Sequence, residues 1–249
     1  MSVVKKIEKK IILKFEDRVI NLPNDIKLNI DDFWKVAKKE NKNLYNGEDF
    51  VVEKVTQNDE TIEFTILKTS YSHYLYDERV GIKEEKYRCL CPWAGILLIT
   101  NDDYFVIGEM NKTTSVPYCL QIPGGGIDSC DIKKGIINVD LTIKRELKEE
   151  LNLDLEDIDY NLKFIEYPDA KRNTYGFIAI GKIDKNKNEL NKHFLKYKKY
   201  LKENYLDVEF DKLVFLKKEN AMQELELYNN SKRPYLKNLV SEAIISIKK

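Results

Sequence analysis

A short apolar segment, Cys119-Leu120-Gln121-Ile122, runs into Pro123-Gly124-Gly125-Gly126, and after a loop the chain continues as Arg145-Glu146-Leu147-Lys148-Glu149-Glu150-Leu151. This order of strand, glycine turn, loop and helix constrains the chain more than any other feature. On a helix, residues three and four apart share a face, so Glu146, Glu149 and Glu150 project their carboxylates to one side. Arg145 stands four residues before Glu149 and can brace it. Three like charges in such proximity repel one another. A hard divalent cation relieves that repulsion, and Mg2+ favours a few carboxylates, waters and substrate phosphates over a full protein cage. Glycines allow the backbone to approach a metal or phosphate with no side chain in the way. Together these parts suit cleavage of a phosphoanhydride. In isolation, Lys144 to Leu151 would read first as a solvated helix face carrying Glu/Lys pairs, so the context has to separate the two.

That context is an apolar strand over Trp93 to Thr100, a second over Tyr104 to Ile107, and the strand that enters the glycine turn. The arrangement resembles the Nudix hydrolase family. Its signature is a glycine, a glutamate, then Arg-Glu-hydrophobic-x-Glu-Glu-x-Gly-hydrophobic on a loop–helix–loop. The match is close at the Arg-Glu-x-x-Glu-Glu core and at Pro-Gly-Gly. Three departures stand beside it. The loop from Gly125 to Arg145 is longer than the family spacing, so Asp128 to Asn138 reads as an insertion. Ile137 replaces the glutamate expected before the arginine, with Asp131 or Asp140 as electrostatic substitutes. Asn152 replaces the glycine after the paired glutamates, and asparagine tolerates the left-handed conformation of a helix end.

The resemblance implies Mg2+, or Mn2+ in its place, held by Glu146, Glu149 and Glu150 with a carbonyl of Gly125 or Gly126. Arg145 would orient the glutamates. The general base would be a signature glutamate, Glu149 or Glu150, or a later carboxylate, Glu209. Tyr71, Tyr167, Arg172 and Tyr175 are candidates for contacting the substrate by stacking or phosphate pairing.

Strand patterns over Lys10–Phe15, Phe50–Val55 and Thr61–Leu67, with a helix from Ile30 to Asn41 capped by Asn29 or Asp31, define a β-rich lobe over residues 1–87. In that helix Phe33, Trp34 and Val36 are expected to face a core. Residues 88–249 form the second part, with further strands at Leu162–Ile165, Tyr175–Ile180 and Leu213–Leu216. Helices are expected within Asn186–Tyr205 and from about Pro234 to Ile247. Strands and helices alternating in this way give an α/β sandwich with a mixed sheet. The sequence from Phe33-Trp34 through Asn46-Gly47 and Phe50 to Thr69-Ser70-Tyr71 is similar to the lead-in of the UDP-glucose/UDP-galactose diphosphatases, which implies a UDP-sugar substrate cut to UMP and a sugar 1-phosphate.

The 249 residues carry no net charge, with 34% of them charged and the signs well mixed. That balance argues against a dedicated nucleic-acid or membrane surface. The run Lys196-Tyr197-Lys198-Lys199-Tyr200 reads as the wet side of a helix rather than a phosphate-binding groove. Cys89, Cys91, Cys119 and Cys130 lack zinc-site spacing and, with no signal peptide or long apolar segment, read as reduced thiols in a cytoplasmic protein. His73 and His193 are isolated. Ser70, Ser115 and Ser129 have no identifiable base–acid partners. The expected partner is a small nucleotide. ADP-ribose or dinucleotide hydrolysis, mRNA decapping and nucleotide sensing without catalysis remain open alternatives.

Overall fold

The structure, a computed structural model, describes residues 3–114, 116–169, 173–229 and 231–247; Ser115 and Arg172 lie outside them. Strands β1 (Val3–Lys6) and β2 (Lys10–Val19) precede helix α1 (Asn24–Glu40), and β3 (Glu48–Gln57) and β4 (Thr61–Ser70) lead into α2 (Tyr71–Arg79). Next come β5 (Cys91–Thr100), β6 (Tyr104–Met110), β7 (Leu120–Gln121) and β8 (Gly124–Gly126). A small hairpin of β9 (Ile132–Lys133) and β10 (Ile136–Ile137) precedes α3 (Val139–Leu151). The chain ends with β11 (Ile158–Tyr167), β12 (Thr174–Ile183), α4 (Lys187–Glu203), β13 (Phe210–Lys217), α5 (Ala221–Leu227) and α6 (Leu236–Ile247).

Strand β5 organises the larger sheet. All ten of its residues are buried, which requires cover on both faces. Its neighbours are β12, parallel, and β6, antiparallel, in the order β1-β11-β12-β5-β6-β13, with β7 on β6 and β8 on β5. Side chains alternate across a strand, and the core divides accordingly. Ala94, Ile96 and Leu98 pack with Ile143, Leu147 and Leu151 of α3 and with Leu190 and Phe194 of α4. Trp93, Leu97 and Ile99 face the opposite layer, where Leu225, Leu236, Leu239 and Val240 of α5 and α6 cover them. The result is the expected α/β sandwich with a mixed sheet.

The second sheet has the order β3-β4-β2-β10-β9. Leu13, Phe50, Ile62, Phe64 and Ile66 from it join the same core as Ala94 and Ile96, and Phe64 meets Phe177 of β12 edge-on, with ring centroids 5.1 Å apart. Its other face is covered by α1 through Ile26 and Ile30, which pack with Val51 and Leu67. Strands cross between the two halves of the sequence in both directions. β1 pairs with β11 in the larger sheet, and β10 pairs with β2 in the smaller one.

The helix expected from Ile30 begins earlier, at Asn24, directly after Pro23. Proline's fixed φ suits a helix start, and it needs no amide donor there. The buried stripe is Ile26, Ile30 and Ala37, whereas Val36 is exposed. Phe33 and Trp34 pack edge-on against Tyr76 and Tyr71 of α2 instead of entering the core. Strand positions agree with expectation, most of them with longer limits.

Candidate active site

The site forms where β8 passes under α3. Asn138 caps α3 by accepting a hydrogen bond from the Asp140 amide at 3.0 Å. At the other end Asn152 takes the left-handed conformation, φ 52° and ψ 42°, as expected of an asparagine that closes a helix. β8 lies antiparallel to β5, Gly124 opposite Gly95. Gly124 has φ +148°, and a Cβ there would come within 2.4 Å of the Ala94 carbonyl oxygen. At Gly125 a Cβ would stand 2.3 Å from Glu146 Oε1. The glycines are therefore required for the sheet contact and for the approach of a carboxylate to the backbone.

Arg145 holds the arrangement together. Its Nη1 donates to Glu146 Oε1 at 2.5 Å and lies 3.6 Å from Glu149 Oε2, while Nη2 donates to the Gly126 carbonyl at 2.8 Å. The same nitrogen lies 3.4 Å from Asp131 Oδ2. Asp131 is buried, and its Oδ2 also accepts from Thr142 Oγ1 and the Asp128 amide, both at 2.9 Å. Of the two acids proposed to substitute for the missing glutamate, Asp131 reaches the arginine; Asp140 pairs with the Tyr160 hydroxyl. Ile137, at the missing glutamate's position, is buried in the core.

Glu150 is buried, and its Oε2 accepts from the Gly124 amide at 2.9 Å. Its Oε1 has no hydrogen-bond partner. Burial pushes this carboxyl well above the ordinary range, and the charges of Glu146 and Glu209 add to the effect. Burial likewise raises Glu146 to about 7, against the opposing pull of Arg145. Glu209 arrives from the segment before β13 beside Glu149 and Glu150, and is raised by burial and by the Glu149 charge. The Glu149 side chain is 56% exposed and faces solvent. Glu146 and Glu150 thus lie against the glycine backbone with Glu209 beside Glu150, Glu149 stands at the solvent edge, and one buried oxygen of Glu150 lacks a donor. Among the described residues no three acidic, imidazole or thiol groups already stand close enough to hold one ion; the arginine occupies Glu146 instead. The hard oxygen donors and the orphaned Glu150 Oε1 fit a divalent cation.

A cavity of about 260 Å3 opens beside Gly124–Gly126, with Tyr71, Tyr74, Asp49, Trp93, Gln121, Arg233 and Tyr235 in its wall. Tyr71, one of the substrate candidates, therefore lines this cavity. Tyr167 and Tyr175 do not line it. They pack edge-on against each other, and Tyr175 against Phe64. Asp49 and Arg233 escaped the sequence reading, because a lone aspartate opening a strand and an arginine near the chain end carry no spacing signal. The two histidines are structural: His73 lies between Thr69 Oγ1 and the Tyr87 carbonyl, and His193 is 3.0 Å from the Leu151 carbonyl at the end of α3. The four cysteines are unpaired. Among the described residues no helix is long and apolar enough to cross a membrane.

No family model matches the chain, and no curated protein matches it. Solved structures that align with the chain include the Nudix domain of Shewanella oneidensis NrtR complexed with ADP-ribose, at 11% identity and TM-score 0.43, covering 72% of this chain and 99% of that one. A Caenorhabditis elegans Ap4A hydrolase in a binary complex aligns at 13% identity and TM-score 0.41, covering 64% of this chain and 98% of its own. The MutT protein of Methanosarcina mazei aligns at 12% identity and TM-score 0.42, covering 64% of this chain and 96% of its own.

Proposed function

We propose that the chain is a Nudix-type hydrolase that uses Mg2+, or Mn2+, to cut the pyrophosphate of a nucleoside diphosphate linked to another moiety. The observation that carries this reading is that Glu146 and Glu150 lie against the backbone of Gly125 and Gly124, with Glu209 beside Glu150 and with Glu150 Oε1 buried and without a donor. A buried carboxylate left in that state is costly unless a cation completes it. Glu146, Glu149 and Glu150, with a carbonyl of Gly125 or Gly126, would hold the ion. When bound, it supplies charge neutralisation of the diphosphate and acidifies a coordinated water. Arg145 keeps the glutamates in register through its contacts to Glu146, Gly126 and Asp131. Glu209, whose carboxyl is raised by burial and by the Glu149 charge, would serve as the proton acceptor.

The finer assignment is a UDP-sugar cut to UMP and a sugar 1-phosphate. It is supported by the similarity of the N-terminal aromatic pattern to the UDP-sugar diphosphatases, and by the way that region meets the site: Tyr71 and Tyr74 wall the cavity beside the glycines. Initial rates with UDP-glucose, ADP-ribose and capped RNA at equal concentration test it. UDP-glucose is expected to be fastest. An inert UDP-glucose removes the sugar assignment, and inactivity on all three with Mg2+ or Mn2+ removes the hydrolase.

A further inference from the structure

The cavity has walls from both sheets, and its polarity is divided. Asp49 is its one carboxylate and Arg233 its one cation among the described lining residues. Asp49 sits on β3, where it accepts from the Phe50 amide at 2.7 Å and from the Cys91 thiol. Arg233 comes from the chain just before α6, and its Nε donates to Gln121 Oε1 at 2.9 Å. Gln121 ends the strand that enters the glycine turn, so Arg233 is anchored on the side of the catalytic backbone. Asp49 belongs to the N-terminal sheet.

This division restricts what can lie where. A carboxylate accepts hydrogen bonds and donates none, and it repels phosphate in a partly dry cavity. A bound diphosphate therefore lies toward Gly124–Gly126 and Arg233, and the group that reaches Asp49 is uncharged and rich in donors. Uracil meets a carboxylate poorly, because its single N–H is flanked by two carbonyl oxygens. Adenine offers an amino group beside a ring acceptor. Sugar hydroxyls each bring a donor, and a vicinal pair can satisfy two carboxylate oxygens at once. The rings of Tyr71 and Tyr74 provide apolar surface for the C–H face of a pyranose. At about 260 Å3 the space lies below the ~300–1,000 Å3 of pockets for drug-sized ligands, which suits a single ring.

We propose that Asp49 selects an uncharged glycosyl group: the cavity receives the sugar of a nucleoside diphosphate sugar with its hydroxyls on Asp49, and excludes sugars that carry an anion. This rests on the pyrophosphatase reading for the place of the diphosphate, and it goes further by assigning the specificity to a residue of the N-terminal sheet.

The test compares UDP-glucose with UDP-glucuronate, whose sugar bears a carboxylate, by calorimetric binding with Mg2+ and by hydrolysis, in the wild-type chain and in Asp49→Asn. Hydrogen bonds to a charged group support a preference of ~10–100-fold for UDP-glucose in the wild type. Asp49→Asn should narrow that ratio to about threefold or less by weakening UDP-glucose and relieving the repulsion of glucuronate. UDP, which lacks only the glycosyl group, should bind both proteins alike. Equal wild-type affinity for the two sugar nucleotides, or an unchanged ratio in Asp49→Asn, overturns the inference. The wild-type comparison stands even if the variant misfolds. Hydrolysis with no Asp49-dependent preference leaves the enzyme reading intact and removes this one. Asp49-dependent binding without hydrolysis does the reverse, and binding of neither sugar nucleotide removes this inference and the UDP-sugar assignment while leaving the hydrolase to the three-substrate comparison.

Discussion

Replacing Glu150 with glutamine should disable the protein and stabilise it at the same time. The side chain is 3% exposed, Oε2 accepts from the Gly124 amide, and Oε1 has no donor. In Glu150→Gln the oxygen can keep the Gly124 contact while the new NH2 group fills the orphaned position and donates toward Glu209. An unsatisfied buried polar group costs ~1–3 kcal/mol, and a chain of this size gains ~2–4 °C in Tm per kcal/mol. Differential scanning fluorimetry in EDTA should therefore show Glu150→Gln melting ~2–10 °C above wild type. Turnover should fall about a hundredfold or more, as expected for a group serving a metal or a base.

Mg2+ separates this account from a merely structural glutamate. A cation that binds only the folded protein raises Tm in proportion to RT ln(1 + [L]/Kd). Titrating Mg2+ into wild type should raise its melting point toward that of the variant, while Glu150→Gln should respond little. The reasoning is refuted by a variant that melts below wild type in EDTA, by equal Mg2+ responses in the two proteins, or by near-wild-type turnover.

Arg145→Lys keeps the charge but loses the fork that reaches Glu146 and the Gly126 carbonyl together, so apparent Mg2+ affinity should fall ~10–100-fold in a titration of activity; an unchanged midpoint contradicts the orienting role. Deleting residues up to Glu84 removes β1 from the larger sheet and Phe64 from the shared core, and should give insoluble or inactive protein; a soluble, active remainder with the same substrate preference would show that region to be dispensable. Asp49 is raised from 3.8 to about 6, chiefly by burial, with the Phe50 amide, the Cys91 thiol and nearby His73 opposing the shift. The folded protein thus holds this proton longer than the unfolded chain, and the resulting stability is full below about pH 4 and lost as pH rises through about 6, by at most ~3 kcal/mol for two units. Urea titrations at pH 4.5 and 7 should show wild type losing more stability between them than Asp49→Asn; identical differences would place Asp49 in ordinary solvent.

The parts of the site legible in the sequence were those governed by local periodicity. Helical spacing placed Glu146, Glu149 and Glu150 beside Arg145, and the turn preference of asparagine anticipated the left-handed Asn152. Glu209 was accessible because it stands just before an apolar strand. Helix α2 was not, because its buried residues are Ser72, His73, Leu75 and Asp77, and a mostly polar inner face leaves no apolar stripe to detect. Tyr167 and Tyr175 pack against each other and do not line the cavity, and a strand pattern does not distinguish exposed from core-packed tyrosines. The hairpin of β9 and β10 was hidden for a different reason: each strand has two residues, too few to show alternation.

That hairpin accounts for the long loop. Lys134 and Gly135 both have positive φ, 50° and 75°, the requirement of a tight two-residue turn between antiparallel strands. Ile136 pairs with Lys14, and the Phe15 amide donates to the Gly135 carbonyl at 2.9 Å, so the extra residues add strands to the N-terminal sheet. The segment that leads into the hairpin carries Asp131, which receives Arg145, and the segment that leaves it carries Asn138, which caps α3. Additional loop length would ordinarily loosen the helix that follows it through its conformational freedom. Here both ends of the insertion are fixed to α3 and its middle is fixed to β2. The N-terminal sheet therefore supports the glutamate face through Asp131 and Arg145, and the cavity wall through Asp49 and Tyr71. A region without any signature residue sets both the position of the carboxylates and the shape of the space beside them.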